Sequence, residues 1–258
     1  MSISFSHSPA LEVHDLQVQY GRASALTNIC CRIPSRQVTA VMGPSGCGKS
    51  TFIKTLNRTL ELTPSARVRG GSVLYRGRDI YASACDVGDI RKHIGIIHQR
   101  PVSFPMSVKE NVLFGARFHK LVRRADEDDY ARLYLERVGL WSEVRDRLGA
   151  HAATLSGGQQ QRLCLARTLA NQPTVILMDE PCSALDPAAT RRIEELIGEL
   201  EREYTIVIVT HNMSQARRVS RHTLFFYEGR LMESGPTQQM FEDPSESLTR
   251  EFVTGQIG

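Results

Sequence analysis

The sequence predicts an α/β fold with a largely parallel sheet, and three observations carry that reading. Short β-branched apolar runs at 175–178 and 205–209 flank a helical stretch at 188–203, the strand–helix–strand alternation of a parallel sheet. Those runs lack the polar alternation of a one-faced strand, so they read as strands buried on both sides. A further apolar run at 38–42 enters a glycine-rich octapeptide, Gly43 to Ser50, after which 51–60 has a helical pattern.

The other elements follow in order. Residues 11–20 alternate loosely and read as a strand closed by Gly21. Residues 67–80, broken by Gly70-Gly71 and Gly77, read as a hairpin, and 94–97 as a strand ending near Gln99. Between 103 and 153 the pattern turns helical, with helices at 108–119 and 126–138 and Gly139 as a C-cap. This stretch reads as a helical insert. Gly157-Gly158 opens a helix running to Leu169, and 213–219 reads as another helix. Residues 224–233 read as a hairpin turning at Glu228-Gly229, and 238–252 as two short helices split by Pro244. No internal repeat or linker divides the chain, so one domain is expected.

The 258 residues are 41% hydrophobic and 23% charged, enough for a sizeable core. A net charge of +4 is too small to argue for a nucleic-acid partner, and none is expected. No run approaches the ~18 apolar residues of a membrane span. Residues 1–9 are polar without a signal-peptide pattern, which places the expected location in the cytoplasm. None of the six cysteines forms a C-x-x-C pair or lies near histidine at ligand spacing, so reduced thiols are expected.

Gly43-Pro44-Ser45-Gly46-Cys47-Gly48-Lys49-Ser50 matches G-x-x-x-x-G-K-[ST] in the strand-to-helix context that such a loop requires. Its glycines let successive backbone N–H groups turn inward as an anion nest at a helix N-terminus. Lys49 supplies charge to β- and γ-phosphates, and Ser50 a hydroxyl to Mg²⁺. Thr51 continues the loop. Cys47, ringed by N–H groups and two residues from Lys49, is expected to have a depressed thiol pKa. Asp179 and Glu180 end an apolar strand where open α/β sheets bind ligands. Asp179 suits a Mg²⁺ carboxylate, direct or through water, and Glu180 a base that polarises an attacking water.

Leu155-Ser156-Gly157-Gly158-Gln159 at a helix start is a second glycine-rich N-terminus, suited to another anion. These five residues read LSGGQ and resemble the signature of ABC ATPases. The resemblance covers about 11 to 258. It implies a P-loop NTPase of ABC type: a mostly parallel core, an N-terminal antiparallel β subdomain, and a helical subdomain at about 103–153 inserted in a domain of 11–252. It implies ATP and Mg²⁺ as cofactors and a head-to-tail homodimer in which each signature completes the partner's ATP site. By the same resemblance Tyr20 stacks on adenine, and Gln99 reaches Mg²⁺ or the water. Asp186, in Ser183-Ala184-Leu185-Asp186, resembles the D-loop aspartate, and His211 the switch histidine that contacts the γ-phosphate.

Several segments are more narrowly similar to the ATPase of bacterial phosphate importers. They are Leu56-Asn57-Arg58, Ala66-Arg67-Val68, Glu180-Pro181-Cys182-Ser183, His211-Asn212-Met213 and Val253-Thr254-Gly255. The run Arg100-Pro101-Val102-Ser103-Phe104-Pro105 departs from that subfamily, as does the end Gln256-Ile257-Gly258. This similarity implies a peripheral subunit on the cytoplasmic face of the membrane. Its partners would be two transmembrane permease subunits and a periplasmic or extracellular phosphate-binding protein. Phe104 and Phe118 are candidate permease contacts. The alternatives are an importer of another solute, such as a polar amino acid, or a non-transport ABC ATPase.

Overall fold

The computed structural model describes residues 8–257; residues 1–7 of the polar N-terminal stretch and Gly258 of the tail lie outside the described residues. The chain opens with β1 (Leu11–Tyr20), β2 (Ala23–Ile33) and β3 (Val38–Met42), followed by α1 (Lys49–Leu56). Next come β4 (Ala66–Tyr75), β5 (Arg78–Asp79), α2 (Val87–His93) and β6 (Ile94–Ile97). Helices α3 (Val108–Phe118), α4 (Glu127–Arg137) and α5 (Trp141–Val144) form the insert, and α6 (Gly157–Leu169) leads out of it. The remainder runs β7 (Val175–Asp179), α7 (Pro187–Leu200), β8 (Thr205–Val209), α8 (Met213–Val219), β9 (His222–Tyr227), β10 (Arg230–Pro236), α9 (Thr237–Glu242) and α10 (Ser247–Val253).

Two sheets result. β2-β1-β4-β5 is antiparallel, and β10-β9-β3-β8-β7-β6 is parallel from β9 through β6, with β10 antiparallel at its edge. Every residue of β3, β7 and β8 is buried. Their side chains alternate between two cores. Ile176, Met178, Ile206 and Ile208 face the core shared with α3, α4, α6 and α7. Val175, Leu177, Val207 and Val209 face a second core holding α1 and the antiparallel sheet. Phe52 of α1 stacks within 5.0 Å of Phe226 of β9 there.

Local chemistry sets the boundaries. The expected helix at 51–60 stops at Leu56, because Arg58 takes a left-handed φ of 63° and a 3₁₀ turn, Thr59–Leu62, follows. In the insert, Ser107 and Glu110 close a capping box at the start of α3. Gly139 ends α4 region in left-handed backbone, its N–H donating to the Glu136 carbonyl. The hairpin turn at Glu228-Gly229 has φ of 45° and 73°, the positive pair that a tight two-residue turn requires. β2 and α2 are additions to the sequence reading. β2 mixes polar and apolar residues, and α2 is a seven-residue helix started by the Asp86 side chain accepting from the Gly88 N–H.

Leu177→Ala empties a fully buried site between α1 and the parallel sheet. It should cost about 2–5 kcal/mol of stability, read as a lowered urea midpoint with an unchanged m-value.

Candidate active site

The parallel strands deliver the polar residues to one edge. The Gly43–Ser50 loop follows β3, Gln99 follows β6, Glu180 follows β7 and His211 follows β8. β3, β8, β7 and β6 are consecutive in the sheet and point the same way, so their carboxyl ends are neighbours.

The loop is a cradle that only glycine can form at two places. At Gly43, φ is 145° and a Cβ would collide with the Phe226 carbonyl; at Gly48, φ is 104° and a Cβ would press on Leu26 and Ala25. Lys49 is 6% exposed and its Nζ donates to the Gly43 and Pro44 carbonyls, each at 2.7 Å. A buried ammonium held by carbonyls, without a carboxylate among its hydrogen-bond partners, suits an incoming anion. Ser50 Oγ donates to Asp179 Oδ1 at 3.0 Å. Burial pushes the Asp179 carboxyl above its ordinary pKa against that hydrogen bond. Among the described residues no cluster of three or more His, Cys, Asp or Glu side chains could hold a metal. One carboxylate beside one hydroxyl nonetheless suits Mg²⁺, which keeps waters and takes phosphate oxygens as further ligands. The residues present therefore fit a magnesium–nucleotide complex.

Glu180 is the hub of the edge. Its Oε2 accepts from Gln99 Nε2 at 2.9 Å and lies 3.2 Å from His211 Nδ1. Its backbone has a φ of 48°, the left-handed region that disfavours a residue with a side chain, and its N–H donates to the Val209 carbonyl. Tyr20, half-buried at the end of β1, has its hydroxyl 3.3 Å from Thr51 Oγ1, which puts the ring beside the loop. Thus Tyr20, Lys49, Ser50, Thr51, Gln99, Asp179, Glu180 and His211 are linked around the loop of Gly43, Pro44, Ser45, Gly46, Cys47 and Gly48.

Leu155, Ser156, Gly157, Gly158 and Gln159 are elsewhere. Ser156 caps α6 in a capping box with Gln159. A Cβ on Gly158 would come within 3.1 Å of Ala189 Cβ, so the start of α6 lies against α7. Asp186 caps α7 by accepting from the Ala188 and Ala189 N–H groups, which holds its carboxyl below its usual pKa. Ser156, Gly157, Gly158 and Asp186 line one open cleft to which the phosphate loop contributes nothing.

Three residues beyond the sequence reading hold these parts. Glu143 accepts from Gln159 Nε2 at 2.7 Å and pairs with Arg162. Arg167 of α6 donates to the Val102 carbonyl at 2.9 Å and lies over the Phe104 ring, tying the segment after Gln99 to the signature helix. Gln215 is buried beneath the His211 turn. Glu143 and Arg167 partner residues 16 to 65 positions away, and Gln215 joins its own turn to Glu194, 21 positions back, so no local motif marks these links.

The fold and the loop define a P-loop nucleotide-binding ATPase. A family model described as ABC transporter matches residues 26–183. The chain belongs to the ABC transporter family, as an ATP-hydrolysing domain that uses ATP and Mg²⁺. Among solved structures it is similar to cbiO1 from Clostridium perfringens, part of the ABC transporter complex cbiONQ. That match has 27% identity and a TM-score of 0.80, over 97% of this chain and 100% of the other. It also shares its fold with a bacterial Atm1-family ABC exporter with ATP bound, at 23% identity and a TM-score of 0.80. That match covers all of this chain, which spans 43% of the exporter chain.

Cys47 differs from expectation. Its side chain turns inward behind the loop, 5% exposed and packed toward Gly43, so burial pushes the thiol pKa up and outweighs the neighbouring Lys49. A maleimide time course at neutral pH should therefore modify exposed Cys30 before Cys47. Cys47 labelling should accelerate as pH rises, read by peptide mass spectrometry. Preferential labelling of Cys47 at neutral pH would restore the activated-thiolate reading.

Proposed function

We propose that this chain is the ATP-driven motor of a membrane transporter, bound peripherally at the cytoplasmic face. The observation that carries the reading is the convergence of the phosphate loop, Gln99, Glu180 and His211 on one sheet edge. The loop N–H groups and Lys49 hold the ATP phosphates, and Tyr20 stacks on the base. Ser50, Asp179 and Gln99 would hold Mg²⁺, which when bound would neutralise phosphate charge. Glu180 accepts the hydrogen bond of the attacking water and polarises it. His211 steadies Glu180 and reaches the γ-phosphate.

Two copies are needed in this reading. The signature helix opens into a cleft that the chain's own phosphate loop does not line, so it is free to close on the ATP of a second copy. Among the described residues no helix is long and apolar enough to cross a membrane. In this reading partner permease subunits carry out translocation. The insert offers them an apolar surface. Phe118 is 77% exposed and Phe114 also lies open, whereas Phe104 is half-covered by Arg167. Phe118 is accordingly the better of the two phenylalanines marked in the sequence.

Phosphate import is the finer reading, supported by segments such as Glu180-Pro181-Cys182-Ser183 and His211-Asn212-Met213. In that reading an extracytoplasmic phosphate-binding protein delivers the solute to the permeases. Import of another solute is the alternative, favoured by a structural relative belonging to the cbiONQ complex.

Glu180→Gln keeps the shape of the side chain and removes its charge. Hydrolysis should fall by about 10²–10⁴-fold while ATP binding survives, and MgATP should shift the variant toward dimer in size-exclusion chromatography. Hydrolysis at the wild-type rate would remove Glu180 from the role of base. Deleting the gene in a strain without another phosphate importer should abolish high-affinity uptake of labelled phosphate. Retained phosphate uptake alongside loss of a different solute would transfer the assignment to that solute.

A further inference from the structure

Beneath His211 lies a buried polar chain that the site as described does not use. Thr210 and Gln215 are each 3% exposed. Thr210 Oγ1 donates to Gln215 Oε1 at 2.8 Å and accepts from the Asn212 N–H at 3.0 Å. Asn212 Oδ1 in turn accepts from the Gln215 N–H at 3.0 Å, so both ends of the turn that carries His211 are fixed to α8. The other end of the Gln215 amide leaves the turn. Its Nε2 donates to Glu194 Oε1 at 3.2 Å on α7, and Arg218 clamps the same carboxylate through two bonds of 2.7 and 2.9 Å.

A buried amide must find partners for both its ends. Gln215 finds one on the histidine turn and one on the helix that Asp186 begins. The Cys182 thiol lies against the same amide, two residues beyond Glu180. These groups surround a cleft of about 650 Å³ that is lined by Glu180, Cys182, Glu194, His211 and Gln215 among others. His211 itself is exposed and meets the rest of the site through Glu180. Its approach therefore depends on where the 210–212 turn is held, and the Gln215 amide bonds that turn directly to α7, beside Arg218 of α8 on the same carboxylate.

We propose that Gln215 is a positioning residue for hydrolysis, tying the His211 turn to α7 so that the imidazole keeps its place beside Glu180. The same bond makes the Asp186 helix and the His211 turn move together. The inference rests on the roles proposed for Glu180 and His211.

Gln215→Met keeps the length of the side chain and removes both hydrogen bonds. Thr210→Val removes the hydroxyl donor to the same amide without changing shape. Steady-state and single-turnover MgATP hydrolysis would be measured for each, for His211→Ala, and for His211→Ala combined with Gln215→Met. Each of the first two variants should lower kcat about tenfold with KM for ATP within about twofold, a loss of transition-state stabilisation rather than of binding. In the His211→Ala background Gln215→Met should lower the remaining rate by no more than about twofold, because residues acting as one unit are not additive. A wild-type kcat in Gln215→Met or Thr210→Val overturns the proposal. So does a full tenfold further loss in the double variant, which marks a general structural role. If Gln215→Met fails to fold, Thr210→Val alone and combined with His211→Ala decides by the same criteria. A wild-type rate for His211→Ala alone overturns the reading of His211, and with it this inference, and is visible independently of the Gln215 variants.

Discussion

Burial of the parallel strands on both faces is the constraint on which the molecule is built. β3, β7 and β8 have no solvent side on which to carry polar groups, so polar chemistry is confined to their ends. Parallel direction places the carboxyl ends together, and the sheet order makes the phosphate loop, His211, Glu180 and Gln99 neighbours although they are separated by up to 168 residues, from Gly43 to His211. The rest follows from covering that sheet: α1 and the antiparallel sheet close one face, and α6, α7 and the insert close the other.

The electrostatics of the edge are those of a site built for charge it does not itself contain. Lys49 is satisfied by carbonyls, and Asp179 by one hydroxyl. Each makes weaker bonds than an anion or a cation would offer it. On the second surface Gly158 lies against Ala189 of α7 and Gly157 faces Leu185, so the signature and Asp186 share one face. α7 is thus shared by both surfaces: its first turn borders the signature, and Glu194 in its middle reaches the residues under His211.

Much of this was legible because it is local. The glycine loop, the capped start of α6 and the apolar run before Asp179 each declare themselves within ten residues. The tight turn at Glu228-Gly229 and the break at Pro244 are also set by nearby backbone chemistry. β2 was hidden because its polar positions match an exposed face of a two-layered sheet instead of a buried strand. The roles of Glu143, Arg167 and Gln215 lie in contacts across elements, which a linear pattern does not encode. Cys47 shows the same limit from the other side. Its neighbours in sequence suggest an anion, but its side chain points into the core, and desolvation decides the sign.

The left-handed backbone of Glu180 sets fitness against sturdiness at a single position. A residue with a Cβ gives up roughly 1 kcal/mol or more to stand there, and glycine would relieve that strain. Selection for a tougher fold alone would drift toward glycine and discard the carboxylate. On the proposed role of Glu180, glutamate at such a spot trades sturdiness for turnover, and thermostabilising libraries drawn from this scaffold would shed activity there first.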